Sequence, residues 1–316
     1  VKQIAVRLEG GIGDCLLGNR FIPAIKEIYP DSEITAYIDS EGKTFQKEFL
    51  ELTYPHFYKE IKIIPAKKYK EFWVDCQFGT DNYYGALENV PDDIRAEMEG
   101  FSKFFDLHID SLKWLDYKDL DWLRYFRFFP KPAIKKNTQK VICLNLTSSG
   151  SSGHRLEKFY IDGLINKVCD TFPDYEVKAI AMEDTKKFYE GINKPNFSLH
   201  IGDIKSVVEL IASSCFVLAT DTGFRFFSYS LGIPTLCFSS HCPQPHNPIP
   251  SHLIRWLIFP ETCYPLNYDY NKIVRTMQSI LKDKGTILVP YVEDFNTQCV
   301  RRIWTLNKER SILNDN

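Results

Sequence analysis

The chain has 316 residues, more than one hydrophobic core usually spans, so two domains of ordinary size are expected. Apolar residues make up 44% of it and charged residues 25%, which excludes disorder as the overall state. Lys plus Arg number 39 against 41 for Asp plus Glu, a formal net charge of -2, so no global attraction to a nucleic-acid backbone exists and a nucleic-acid partner is disfavoured.

Gln3-Ile4-Ala5-Val6-Arg7-Leu8 reads as a strand that ends in Glu9-Gly10-Gly11-Ile12-Gly13. Asp14 then introduces Leu16, Leu17, Phe21, Ile22, Ile25 and Ile28 at helical spacing. Pro30-Asp31-Ser32 breaks that helix, and Glu33 to Ile38 is a second strand, completing a β-α-β unit and predicting a parallel sheet. Ile61 to Ile64 and Phe72 to Cys76 are further strand candidates, and residues 91–129, rich in aromatics, Asp and Leu, read as helices. The basic strip Lys62, Lys67, Lys68, Lys70 reads as a solvated strand edge.

Lys131-Pro132-Ala133-Ile134-Lys135-Lys136-Asn137 has no periodicity and contains a proline, the composition of an interdomain linker. Beyond it the alternation restarts: strand Val141 to Leu146, helix Phe159 to Thr171, strand Tyr175 to Ala181, helix Thr185 to Ile192 and helix Ile204 to Ser213. Strand Phe216 to Ala219, helix Phe224 to Leu231 and strand Thr235 to Phe238 follow. The expected organisation is an α/β protein with a Rossmann-like domain over 1–134, a second over 138–290, and a tail over 291–316 whose helical spacing (Phe295, Val300, Ile303, Trp304) suits packing back on the first domain.

Two doubly wound domains facing a central cleft would put their ligands at the carboxyl ends of the strands. The loops there are Glu9 to Asp14, Thr147 to Arg155, Met182 to Asp184 and Thr220 to Arg225. Gly10-Gly11-Ile12-Gly13-Asp14 lacks both the dinucleotide fingerprint and the Lys-Ser/Thr end of a Walker A loop, which disfavours nicotinamide and P-loop chemistry. Asp14 has two readings on these residues alone, a helix cap or a general base. Asp221-Thr222-Gly223 repeats the strand-turn-helix pattern: the amides of Thr222 and Gly223 would face a phosphate at the positive end of the helix dipole, and Asp221 would accept from hydroxyls. No second Asp-Thr-Gly exists, and the α/β context excludes an aspartic protease.

Glycine-Asp after strand one, followed by Leu16-Leu17, Phe21-Ile22-Pro23-Ala24-Ile25-Lys26 and Tyr29-Pro30, joins Val207-Val208-Glu209-Leu210-Ile211-Ala212, Asp221-Thr222-Gly223 and Ser230-Leu231-Gly232-Ile233-Pro234-Thr235 in a set that resembles the family 9, heptosyltransferase-like glycosyltransferases. The resemblance covers about residues 1–40 and 140–240. It implies a GT-B fold, a nucleotide-diphosphate sugar bound mainly by the second half, an acceptor held mainly by the first, at the Gly10, Gly11, Gly13 loop, and inversion at the anomeric carbon. It further implies Asp14 as the catalytic base, Thr222 and Gly223 as the diphosphate turn, Asp221 beside the sugar, and Glu183, with Asp184 as its neighbour, on the ribose. The expected acceptor is a glycan, a glycolipid or a similar hydroxyl.

Two stretches depart from that family's pattern. A Lys followed by Trp-Pro after the first strand of the second half is replaced by Ser148-Ser149-Gly150-Ser151-Ser152-Gly153-His154-Arg155, where Arg155 is the stand-in for gripping a leaving phosphate. Gly-Pro after the strand ending at Phe238 is replaced by Ser239-Ser240-His241-Cys242-Pro243-Gln244-Pro245-His246, so the base or sugar pocket is expected to differ. His241, Cys242, His246 and Cys263 have no standard metal-ligand spacing, and neither a metal nor a cofactor beyond the sugar donor is expected.

Nine cysteines show no two-residue pair spacing and several lie in apolar runs, the usage of a reducing compartment. Lys2, Arg7, Glu9 and Asp14 interrupt any signal-peptide core, and no apolar run is long enough to span a bilayer, so a cytoplasmic protein without a transmembrane segment is expected. Two rival readings keep the cleft but change the chemistry: a non-catalytic sugar-nucleotide or glycan-binding module, which joint retention of Asp14 and Asp221 disfavours, and glycosylation of a hydroxylated nucleic-acid base, supported only by the Lys62 to Lys70 strip.

Overall fold

A computed structural model describes residues 3–8, 11–19, 22–23, 26, 30–39, 44–64, 130–147, 156–220, 222–239, 254–258 and 269–282, with Asp14 described by its backbone. The described residues divide into two compact units between Ile134 and Lys135. On the first side Ala133 N donates to Thr53 O (2.7 Å) and the Tyr54 hydroxyl to Pro130 O (3.0 Å). On the second, Asn137 N donates to Ala212 O (3.0 Å) and Gln139 N to Ser213 O (2.8 Å).

The first unit contains β1 (Gln3–Leu8), α1 (Ile12–Asn19), β2 (Glu33–Asp39), α2 (Phe45–Thr53) and β3 (Glu60–Ile64). Its described strands are parallel in the order β1-β2-β3, with Val6 opposite Ala36 and Ala36 opposite Ile61. Period-two alternation in β2 buries Ile34, Ala36 and Ile38 completely. Phe49 and Leu50 of α2 and Cys15 and Leu16 of α1 are fully buried as well. The buried Tyr58 hydroxyl donates to Asn19 Oδ1 and so ties the end of α1 to the segment before β3. Lys62, on β3, is paired with Glu60 at 2.9 Å, as a solvated edge would have it; Lys67, Lys68 and Lys70 lie outside the described residues.

The second unit contains β4 (Val141–Asn145), α3 (Lys158–Thr171), β5 (Glu176–Ile180), β6 (Phe197–His200), α4 (Ile204–Ser213), β7 (Phe216–Ala219), α5 (Phe224–Ser230), β8 (Thr235–Ser239), β9 (Ile254–Ile258) and α6 (Tyr270–Lys282). All its described strand pairs are parallel, in the order β6-β5-β4-β7-β8-β9. The chain builds outward from β4 through β5 to β6, returns to the other side of β4 with β7, and builds outward again. That order is the doubly wound arrangement, whose switch point lies between the two central strands. Both are buried along their whole length, as central parallel strands are.

Helices α3, α4 and α6 each bury one stripe: Ile161, Leu164, Ile165 and Val168 on α3, Val207, Val208 and Ile211 on α4, Ile273, Val274, Met277 and Ile280 on α6. Gly163 lets α3 and α6 approach, since a Cβ there would sit 2.7 Å from Tyr270 Cε2. The α3 terminus is closed by Asn196, whose Nδ2 donates to the carbonyls of Cys169 (3.3 Å), Phe172 (3.1 Å) and Tyr175 (3.1 Å). Cys143, in the middle of β4, and Cys169 are both buried, and burial pushes their thiol pKa values up to about 12 and about 11.

Several elements differ from the sequence reading. The helix expected over Thr185 to Ile192 is a single 3-10 turn, Lys186–Tyr189. Phe188, Tyr189 and Ile192 do pack on the core, but Gly191 at φ +87° leaves helical space and ends the element. Helix α1 begins at Ile12, two residues before Asp14. Elements α2, β6, β9 and α6 have no counterpart in the sequence reading. Strand Phe72 to Cys76, the helices of 91–129 and the 291–316 tail lie outside the described residues. Among the described residues no helix is long and apolar enough to cross a membrane.

Candidate functional site

At the switch point of the second sheet, the carboxyl ends of β4 and β7 are joined by two hydrogen bonds. Thr220 N donates to Asn145 O (3.1 Å), and Asn145 Nδ2 donates to Thr222 Oγ1 (2.7 Å). Asn145 is 2% exposed and Thr222 4%. A crevice of this kind is where open α/β sheets bind ligands.

The turn that follows β7 is fixed through Thr222. Its amide donates to Thr220 O at 2.8 Å, which corrects one expectation from sequence: the Thr222 amide is committed within the turn and is not offered to a ligand. What Thr222 presents is its hydroxyl. Gly223 has helical dihedrals, φ -62° and ψ -35°, so it is the absence of a side chain and not a left-handed backbone that distinguishes it here. Arg225, 3% exposed, donates from Nη1 to Thr222 O (2.9 Å), and its guanidinium lies 4.1 Å from the centre of the Phe226 ring. A buried cation thus stands one turn below the candidate anion site, a feature that the sequence motif passes over. Asp221 lies outside the described residues.

Next to β4, the carboxyl end of β5 carries Glu183 at the tip of a self-tied turn. Met182 N donates to Thr185 Oγ1 (2.9 Å) and Thr185 N to Met182 O (2.9 Å), with Thr185 almost fully buried at the base. Glu183 points to solvent, its side chain 74% exposed and paired with Lys186 Nζ at 2.6 Å. An exposed pair of that sort is worth little, so the carboxylate can exchange the lysine for another partner at small cost. The Glu183 carboxylate, accepting from Lys186, raises the lysine's pKa. Tyr189 returns beneath this turn: its hydroxyl donates to Ile180 O (3.4 Å) and meets Thr147 Oγ1 at 3.3 Å, bracing the exits of β5 and β4 together. Burial pushes the Tyr189 phenol up to about 12, so it remains a neutral donor.

The three exposed large apolar side chains of the described residues, Phe159, Met182 and Ile201, follow β4, β5 and β6 respectively. Beside Ile201, His200 Nε2 contacts Ser206 Oγ at 3.2 Å, and partial burial, with Lys178 adding to it, lowers the imidazole pKa.

In the first unit, Gly11 O accepts from Cys15 N at 3.1 Å, making Gly11 the N-cap of α1 and placing Gly13 and Asp14 inside its first turn. Asp14 therefore does not occupy the capping position, one of its two readings from sequence. A carboxylate in the first helical turn is still favoured by the dipole. Gly10 and Arg155 lie outside the described residues, as do His241, Cys242, His246 and Cys263.

No protein-family model matches the chain, and no curated protein matches it in sequence. Solved structures do match in fold. ADP-heptose lipopolysaccharide heptosyltransferase II of E. coli aligns over 90% of this chain and 99% of its own, at 12% identity and a TM-score of 0.62. The E. coli heptosyltransferase WaaC, solved with ADP, aligns over 90% and 100%, at 10% identity and a TM-score of 0.56. A family 9 glycosyltransferase of Veillonella parvula aligns over 95% of each chain, at 13% identity and a TM-score of 0.55. The fold is the GT-B fold, and the resemblance to heptosyltransferase-like proteins expected from the sequence holds at the level of the fold.

Proposed function

We propose that the chain is an inverting glycosyltransferase that moves a sugar from a nucleotide-diphosphate sugar to the hydroxyl of a glycan or glycolipid. The observation that carries this reading is the braced turn at Thr222–Gly223, set at the switch point of a sheet with the fold of nucleotide-sugar enzymes. Asp14 takes the proton of the acceptor hydroxyl as its oxygen bonds to the anomeric carbon, and the bond from that carbon to the diphosphate oxygen breaks. The leaving nucleoside diphosphate keeps the electron pair and is stabilised by Arg155, the Thr222 hydroxyl and the Gly223 amide, a preorganised set of donors. Glu183 holds the ribose, Asp221 the sugar hydroxyls, and the base lies against the apolar side chains of Met182 and Ile201. Gly10, Gly11 and Gly13 let the acceptor approach the backbone before α1.

Because protein donors neutralise the leaving group, the reaction runs without a divalent metal. Activity should persist unchanged in excess chelator; loss in chelator that magnesium or manganese restores would contradict this. A cytoplasmic location follows from the same reading, since nucleotide sugars are made there. The test of the donor site is thermal: a nucleoside diphosphate at a hundred times its dissociation constant stabilises the native state by about 2.7 kcal/mol. ADP, UDP, GDP and their sugar conjugates form the panel. A melting temperature that none of them raises would reject the donor site.

A further inference from the structure

We propose that Asn145 is a positioning residue for the donor diphosphate, acting through the hydroxyl of Thr222; the inference rests on the reading that a nucleoside diphosphate binds at Thr222–Gly223. Asn145 Nδ2 lies 2.7 Å from Thr222 Oγ1. An amide nitrogen only donates, so the hydroxyl oxygen is the acceptor in this bond and its own hydrogen is directed elsewhere. Among the described residues that hydrogen has no acceptor. The other polar groups of Thr222 are committed: the amide to Thr220 O (2.8 Å), the carbonyl to Arg225 N (3.3 Å) and Nη1 (2.9 Å).

A buried hydroxyl with an unspent hydrogen at the switch point fits a ligand atom that accepts and never donates. A diphosphate oxygen has that chemistry. Left to itself a threonine hydroxyl can turn to donate or accept with equal ease, and Asn145 removes that freedom before the ligand arrives. Arg225 holds the backbone of the same residue, so the hydroxyl is set in position by one neighbour and in polarity by the other. The work of Asn145 is thus preorganisation of a donor.

Calorimetry with ADP, UDP and GDP first identifies the nucleotide that the parent protein binds, and the variants are then measured with it. Asn145→Ala and Thr222→Val should each weaken binding by at least about tenfold, the value of one hydrogen bond to a charged group. In the Thr222→Val background Asn145→Ala should add less than about twofold, because no hydroxyl remains to be oriented. Losses that multiply would overturn the proposal, since a merely structural role for Asn145 would make them do so.

Asn145→Asp, which has the same size, supplies a second measurement should the alanine variant fail to fold. An ionised carboxylate would draw the hydroxyl hydrogen to itself and add charge beside the diphosphate. Its affinity relative to the parent's should recover as pH falls through the carboxyl pKa, where the protonated acid can again donate to Thr222 Oγ1. A ratio that does not vary with pH would overturn the proposal. Thr222→Ser retains the hydroxyl and should bind within a few fold of the parent; binding as weak as that of Thr222→Val would count against the hydroxyl's role. A parent that binds no nucleoside diphosphate refutes the donor-site reading and this inference together. A parent that binds while both Asn145 variants match it refutes this inference alone.

Discussion

Aspartate at position 14 stands in the first turn of α1, behind a helix start that Gly11 already provides. The consequence for mutation is direct. Asp14→Asn removes basicity from a residue that is not the N-cap and loses only the small dipole interaction, so melting temperature should fall slightly and nucleotide affinity hardly change while turnover falls by about 10² to 10⁴. Transfer assays, or donor hydrolysis where the acceptor is unknown, read the difference, and turnover close to the parent's would reject Asp14 as the base. At this scale the sequence was partly legible. Thr222 and Gly223 stand out because Asp-Thr-Gly between a buried strand and a helix is a recognisable pattern. The committed Thr222 amide is not readable, since it depends on how the turn closes. Asn145 carries no motif at all: it ends an apolar run, and its partner lies 77 residues away.

Helix α4 shows how local chemistry and pH are coupled. Asp203 caps it, accepting from Ser206 N at 2.8 Å, and that bond, then the Ser206 hydroxyl and the Lys205 charge, hold the carboxyl below its ordinary value of 3.8. A depressed folded-state pKa means that the cap's contribution is complete above the unfolded value and is lost as pH falls through the folded one. Asp203→Ala should therefore lower the urea midpoint at neutral pH, and the gap between variant and parent should narrow as pH drops below 3.8. A gap of constant width down to strongly acidic pH would contradict the assignment.

Elements with a strong internal pattern were legible: α4 and β7 have the expected bounds, and α3, β5 and β8 agree to within a residue or so. Helices α2 and α6 carried a readable signal, with Phe45, Phe49 and Thr53 on one and Ile273, Val274, Met277 and Ile280 on the other at helical spacing. Strand β6 did not, being four residues long at the end of the described sheet and only partly buried. The 3-10 turn before it stops at Gly191, and its Tyr189 hydroxyl reaches the exits of β4 and β5, contacts that no local pattern announces.

At the scale of the whole molecule, a fold shared with proteins of 10–13% identity shows how little of a doubly wound architecture depends on particular residues. Burial pattern and strand order suffice to define it, while the candidate site rests on a few side chains at the strand exits.

The sulfur atoms of the second core offer a way to watch that architecture come apart. With thiol pKa values of about 12 and about 11, Cys143 and Cys169 are ionised at pH 7 to the extent of only about 10⁻⁵ and 10⁻⁴, and both are enclosed besides. In the native protein they should be silent toward a maleimide for as long as the sheet is closed. Cys143 lies two residues before Asn145, in the strand that pairs with β5 and β7, so its alkylation clocks the rare excursions in which the centre of the sheet opens. Mass mapping of alkylated peptides over time should show Cys143 last, and later still when a nucleoside diphosphate is bound; immediate modification of Cys143 in the native protein would contradict this. The same buried thiol that plays no part in the chemistry then reports, from inside, how firmly the ligand holds the strands on either side of it.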